Sequence, residues 1–136
     1  TRELAQQVSD VAKVLVGYKS NIDISLIVGG ASMNNQLRQL KKRPKIIIGT
    51  PGRINDHLEK KSLNLSYFNF FVLDEADRML DMGFEDQVER IIKFLPLKRQ
   101  TLLFSATLPK EIIKLSSFSL YLPLHRKPRF ATSSDE

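Results

Sequence analysis

The stretch "FFVLDEADRML", residues 70–80, decides how this chain is read. Four apolar residues run directly into Asp74, Glu75, Ala76 and Asp77. Near-continuous apolarity suits a parallel strand covered on both faces. Isolated carboxylates at the edge of a core are costly. The three carboxylates must therefore either face water on a helical turn or hold something positive.

Upstream, Leu4, Val8, Val11 and Leu15 follow the 3.6-residue period, which predicts an amphipathic helix over residues 2–17 ending at Gly17. "ISLIV" (24–28), closed by Gly29-Gly30, predicts a buried strand. Ser32 is placed to cap a helix with Met33, Leu37 and Leu40 on its apolar side, stopped by Pro44. "KIIIG" (45–49) is rich in β-branched residues and reads as a strand. "TPGR" (50–53) opens a helix with Ile54 and Leu58 facing inward. Residues 68–74 form the third predicted strand, and Phe84, Val88, Ile91, Ile92 and Leu95 mark a helix that ends at Pro96. "TLLFSAT" (101–107) is the fourth strand, and Pro109 suits the first turn of a helix carrying Ile112, Ile113 and Leu115.

This alternation of helix and strand predicts an α/β fold, a parallel sheet with helices on both faces. In such sheets, ligands bind beyond the carboxyl ends of the strands. The predicted strand ends are Gly29-Gly30, Gly49-Thr50-Pro51-Gly52-Arg53, Asp74-Glu75-Ala76-Asp77 and Ser105-Ala106-Thr107. Small, polar and charged residues collect where the rule places a site.

The 136 residues suit one domain with a real core, and 42% apolar with 26% charged is a globular composition. No stretch approaches the ~20 apolar residues of a membrane span, so no membrane partner is expected. The absence of Cys excludes disulfides and thiolate metal sites. Net charge is +6 with a pI near 9.7, and the basic residues cluster at 41–45, Lys60-Lys61, Lys98-Arg99 and 125–129. Clustering favours a polyanionic partner, although "KKRPK" (41–45) itself reads as a solvated helix end. The first ten residues resemble neither a signal nor a transit peptide. They lack an initiator Met and start within a helical pattern, so a truncated N-terminus is expected.

An apolar strand ending in Asp is the Walker B arrangement of nucleotide hydrolases. Its Asp holds Mg²⁺, usually through water, because Mg²⁺ keeps most of its octahedral hydration. A neighbouring Glu can orient or polarise an attacking water. The competing reading is an acidic turn that opens a helix, where the helix dipole favours carboxylates anyway. The strand and its carboxylates alone leave both open.

The companions of "DEAD" narrow the choice. "TRELAQQ" (1–7), Gly29-Gly30, "TPGR" (50–53), "VLDEADRMLDMGF" (72–84) and "SAT" (105–107) stand in one order. Together they resemble motifs Ia, GG, Ib, II and III of the DEAD-box ATP-dependent RNA helicases. The resemblance implies a RecA-like fold, ATP and Mg²⁺ as cofactors, and RNA as partner. It implies that Asp74 holds Mg²⁺ and that Glu75 acts catalytically on water. Asp77, Ser105 and Thr107 would couple nucleotide state to strand separation. Thr1, Arg2, Gly30, Thr50 and Arg53 would touch RNA, mainly its phosphates, giving sequence-independent binding. Taken singly each has a plainer reading: Arg2 as an exposed helix residue, the glycines as turns, Ser105 and Thr107 as caps.

The family's P-loop, AxxGxGKT, and its adenine-reading Gln motif are absent from the chain, as is the second RecA-like domain with its arginine finger. The resemblance thus implies an incomplete RecA-like domain at 1–116, lacking the P-loop strand and leaving an open sheet edge. Residues 117–136 lack the family's "NP" turn and are expected to be a divergent, disordered tail. The expected function is part of an RNA helicase that couples ATP binding and hydrolysis to local duplex unwinding, with the chain alone inactive. The alternative is a non-catalytic RNA-binding or adaptor fragment, and a DNA helicase of the same superfamily is a third reading. A cytoplasmic location is expected from the style of the motif flanks.

Overall fold

Strand pairing is parallel throughout residues 1–119, the part described by the computed structural model. The chain divides into two units, Thr1–Asn64 and Leu65–Glu136. The expected parallel α/β character is present in each, with four described strands pairing two by two. The expected tail lies mostly outside the described residues.

The first unit contains α1 (Arg2–Val16), β1 (Ile24–Ile27), α2 (Met33–Lys41), β2 (Ile46–Gly49) and α3 (Pro51–Glu59). β1 and β2 pair from Ile24↔Ile46 to Ile27↔Gly49. Helix starts and stops follow local chemistry. Thr1 Oγ1 accepts the Leu4 N–H at 3.2 Å, and Ser32 Oγ accepts the Asn35 N–H at 3.3 Å, each satisfying an orphan donor of a first turn. Gly17 ends α1 at φ 71°, where a side chain would be strained.

The inward face of α1 differs from the one predicted. Ala5 and Ser9 are buried, whereas Val8, Val11 and Leu15 are exposed. Small side chains at i and i+4 let the helix backbone approach its strands closely, and the large apolar stripe lies outside that contact. Gly49 is also required for close approach. A Cβ there would lie 2.5 Å from the Ile27 carbonyl oxygen and 2.8 Å from Ile54 Cδ1. The chain can therefore turn from β2 into α3 against β1 only with hydrogen at this position.

The second unit contains β3 (Phe70–Leu73), α4 (Ala76–Asp81), α5 (Glu85–Phe94), β4 (Gln100–Leu103) and α6 (Lys110–Ser119). β3 and β4 pair from Phe70↔Gln100 to Leu73↔Leu103. Leu73, Ala76, Val88, Ile92, Ile112 and Leu115 form its core, with Phe71 and Leu103 packed against them. Burying each large aliphatic side chain contributes about 1.5–3 kcal/mol. Helices thus cover the sheet face that carries residues 71, 73 and 103. Phe70, Val72, Leu102 and Phe104, on the other face, are exposed.

Two boundaries here depart from the predicted ones. α4 begins inside the carboxylate run, two residues after β3, where no helical period is visible in the sequence. β4 ends at Leu103 rather than Thr107, because the chain beyond it bonds sideways to the start of α4.

Candidate functional site

The carboxylates stand on a turn whose backbone is strongly fixed. Glu75 adopts the left-handed region, φ 49° and ψ 48°, at a cost of roughly 1–2 kcal/mol for an L-residue. Strain of this kind persists only where surroundings impose it. Here Asp74 Oδ1 accepts the Glu75 N–H at 2.9 Å, and the next amide, Ala76 N–H, donates to the Phe104 carbonyl at 3.0 Å. Phe104 N–H in turn donates to Leu73 O at 2.8 Å. The turn is thereby tied to the end of β4.

Asp77 and residues 105–107 form a latch beside this turn. Thr107 N–H and Thr107 Oγ1–H both donate to Asp77 Oδ2, at 3.1 and 2.9 Å. Asp77 N–H donates to Ser105 Oγ at 3.1 Å. Desolvation pushes the Asp77 pKa up, but hydrogen bonds from Thr107, Arg78 and Ser105 outweigh it and hold the carboxyl below its ordinary value. The structure thus brings Asp77 together with Ser105 and Thr107, which stand 28 and 30 positions further along the chain.

Asp74 is exposed at the carboxyl end of β3. Glu75 Oε2 is buried without a hydrogen-bond partner and lies 3.7 Å from Arg78 Nη1. Among the described residues no group of three or more His, Cys, Asp or Glu is gathered to hold a metal. A hydrated Mg²⁺ takes one or two carboxylates and completes its shell with water and phosphate oxygens. Asp74, exposed at the strand end, is the side chain suited to hold it, and Glu75 Oε2, which accepts no hydrogen bond, suits a water proton.

In the first unit, two of the residues expected at the RNA, Arg2 and Arg53, flank the turn at Gly30. Gly30 sits at φ 77°, and a Cβ on it would fall 2.6 Å from Arg2 Nη1. The left-handed backbone and the packing of Arg2 both favour glycine there. From the other side, Arg53 Nη1 donates to the Ala31 carbonyl at 3.0 Å and to Gln36 Oε1 at 3.1 Å. Arg53 Nε lies 3.6 Å from Asp56 Oδ2, and the Arg53 side chain is only 14% exposed. Thr50 precedes α3 with no side-chain cap bond, and its N–H donates to Ile27 O at 3.1 Å. Thr1 spends its hydroxyl on capping α1.

Sequence reasoning misses Gln36 and His57, both buried in this unit. Gln36 Nε2–H donates to Val28 O at 2.9 Å, and His57 Nε2 meets Gln36 Oε1 at 2.8 Å. His57 Nδ1 meets Ser62 Oγ at 2.8 Å. A signal exists for Gln36, which lies one helical turn before buried Leu40. Burial, then the positive charge of Arg53, lowers the His57 pKa from 6.5; Asp56 opposes this and Lys60 adds to it.

A group with a depressed folded-state pKa takes up protons more readily when unfolded. Stability from neutral His57 is therefore complete above pH 6.5 and is lost as pH falls from there through the folded value. The urea midpoint should be flat from about pH 7 to 8 and fall below about 6.5, and His57→Gln should remove that slope. An unchanged slope in the variant would assign the loss to other groups. Asp77 adds a separate decline only near and below pH 3.8.

An apolar parallel strand thus runs into Asp-Glu and is latched to the end of its neighbouring strand. The profile of the DEAD/DEAH box helicase family matches residues 1–115, and the chain belongs to that family. It is 46% identical over 123 residues to the ATP-dependent RNA helicase CshA of Listeria monocytogenes, covering 90% of this chain and 24% of that protein. It is 48% identical over 126 residues to the ATP-dependent RNA helicase DbpA of Bacillus subtilis, covering 92% and 26%. The chain thus spans about a quarter of the length of these curated relatives. The crystal structure of a DEAD box protein from Methanococcus jannaschii superposes with a TM-score of 0.84 at 41% identity, over 97% of this chain and 34% of that one. This likeness supports the RecA-like class expected for the fold.

Proposed function

We propose that this chain is the part of an ATP-dependent RNA helicase that supplies the metal-holding and water-activating carboxylates and one RNA-binding edge. The observation that carries this reading is the fixed Asp74–Glu75 turn, with its left-handed Glu75, latched through Asp77 to Ser105 and Thr107. Mg·ATP, when bound, supplies the γ-phosphoryl group and a cation that neutralises its charge. Asp74 would hold the metal. Glu75 accepts a hydrogen bond from the attacking water and draws off its proton. Asp77, Ser105 and Thr107 link the carboxylate turn to the strand end, so displacement at one is felt at the other. A second RecA-like domain, within the greater length seen in the relatives, completes the nucleotide site.

RNA binds along the first unit through phosphate contacts with Arg2, Arg53, the Gly30 amide, Thr50 and the first turn of α1 at Thr1. Charge supports this assignment. Residues 1–64 hold eleven Lys and Arg against five Asp and Glu, the whole of the chain's net +6, while residues 65–136 hold ten of each. Arg forks onto phosphate oxygens, and backbone phosphates carry no base information. In the intact protein, Arg2→Ala and Arg53→Ala should each weaken binding equally for all single-stranded RNA sequences. The slope of log affinity against log salt should fall by about 0.7 for each phosphate that is no longer neutralised. A loss confined to one RNA sequence, with an unchanged salt slope, contradicts the assignment.

A further inference from the structure

The bonding pattern of the buried polar network beneath the glycine turn fixes which way the Gln36 amide points. Arg can only donate, and a carbonyl can only accept. Gln36 faces the Val28 carbonyl with one end of its amide and Arg53 Nη1 with the other. The amide nitrogen must therefore point to Val28, which leaves Oε1 as the acceptor for both Arg53 and His57. His57 then carries a proton on Nε2, and in the neutral ring the single Ser62 hydroxyl proton is shared between His57 Nδ1, at 2.8 Å, and the His57 carbonyl, at 3.1 Å. The lowered His57 pKa agrees with this neutral form.

Gln36 and His57 are 2% and 0% exposed, so neither bond is exchanged freely with water. Leaving any of these buried groups unpaired is costly. The network joins three places: Val28, just before Gly29-Gly30; Ala31, just after, through Arg53; and α3, through His57. The turn and Arg53 are thus gripped from beneath by one amide. Arg53 cannot shift its Nη1 without releasing either Ala31 or Gln36.

We propose that Gln36, braced by the Nε2–H tautomer of His57, is a positioning residue that sets Arg53 and the Gly29-Gly30 turn in their RNA-receiving arrangement before RNA arrives. The proposal rests on the reading that this edge binds RNA phosphates. Ordering a long side chain on binding costs about 0.5–1.5 kcal/mol. A side chain already held by its own protein avoids that cost. Gln36 is buried and acts through Arg53 and through its own bond to the Val28 carbonyl.

The test uses the intact protein and a single-stranded oligouridylate as probe. In RNA-free wild type, nitrogen NMR should find the Arg53 guanidinium restricted in rotation and the His57 ring as the Nε2–H tautomer with a protected ring N–H. Gln36→Met should free the guanidinium and weaken oligouridylate binding about 2–12-fold, the factor equivalent to that ordering cost. Combined with Arg53→Ala, it should weaken binding by clearly less than the product of the two single effects, the remainder coming from the glycine turn. A freely rotating Arg53 or the Nδ1–H tautomer in wild type overturns the proposal, and this arm stands even if Gln36→Met fails to fold. So does a Gln36→Met effect that adds fully to that of Arg53→Ala. Failure of wild type to bind oligouridylate, or full binding by Arg53→Ala, instead overturns the underlying assignment of RNA to this edge, and with it the proposal.

Discussion

In the intact protein, Glu75→Gln should lower ATP turnover by about 10²–10⁴-fold, the usual worth of a general base, while leaving ATP and RNA binding in place. The amide keeps the volume of the side chain and one acceptor oxygen but loses the charge that draws a proton from water. The left-handed backbone at residue 75 is imposed by the Asp74 carboxylate and by the Ala76–Phe104 bond, neither of which involves the Glu75 side chain. The turn should therefore survive the substitution. Asp74→Asn should behave differently. It weakens the metal site and removes a charged acceptor from the Glu75 N–H, so Mg·ATP binding should fall together with turnover. Equal binding losses in both variants, measured by nucleotide titration with and without Mg²⁺, would contradict this division of roles.

The second large effect is expected at the latch. Ser105→Ala with Thr107→Ala removes the acceptor of the Asp77 N–H and one of two donors to Asp77 Oδ2. Neither hydroxyl is a group that does chemistry on phosphate here, since both are turned to Asp77. Unwinding should fall about 5–150-fold, the range of a typical coupling free energy, with ATP hydrolysis within about threefold of wild type. The comparison is duplex unwinding against ATP hydrolysis on the same preparation. Parallel losses in the two assays would make the latch part of the hydrolytic site, or only structural.

Much of this is legible in the sequence because it is local. Gly17 stops α1, Ser32 caps α2, and Pro51 opens α3 where local chemistry places them. The apolar strand ending in Asp74 is read from residues that are contiguous, and the parallel α/β class follows from alternation. What escapes depends on contacts between distant residues. The stripe Val8, Val11, Leu15 looks like the core face of α1, yet Ala5 and Ser9 pack inward. Periodicity gives the angle of an apolar face, not what approaches it. α4 is hidden because six residues containing three charges have no usable period. β4 reads four residues too long because Phe104 and Ser105 are β-compatible, and only the bonds to Ala76 and Asp77 divert them. Gln36 and His57 escape because polar residues on amphipathic helices are normally outside, and here they satisfy each other inside.

The site shows the same division. Asp74, Glu75 and Asp77 announce themselves by sitting together after a strand. The bonds of Asp77 to Ser105 and Thr107 span 28 and 30 positions and follow from the pairing of β3 with β4. From sequence, Arg53 is expected to reach outward to phosphate. Its Nη1 is turned to Ala31 and Gln36, so in the proposed RNA-binding role it holds the glycine turn as well as presenting charge.

The most direct test of the central claim is the rate of ATP hydrolysis by the intact protein, with and without RNA, for wild type and Glu75→Gln side by side. The account predicts hydrolysis that RNA stimulates in wild type and that Glu75→Gln lowers by at least about a hundredfold. Hydrolysis indifferent to RNA, or undiminished by Glu75→Gln, would contradict it.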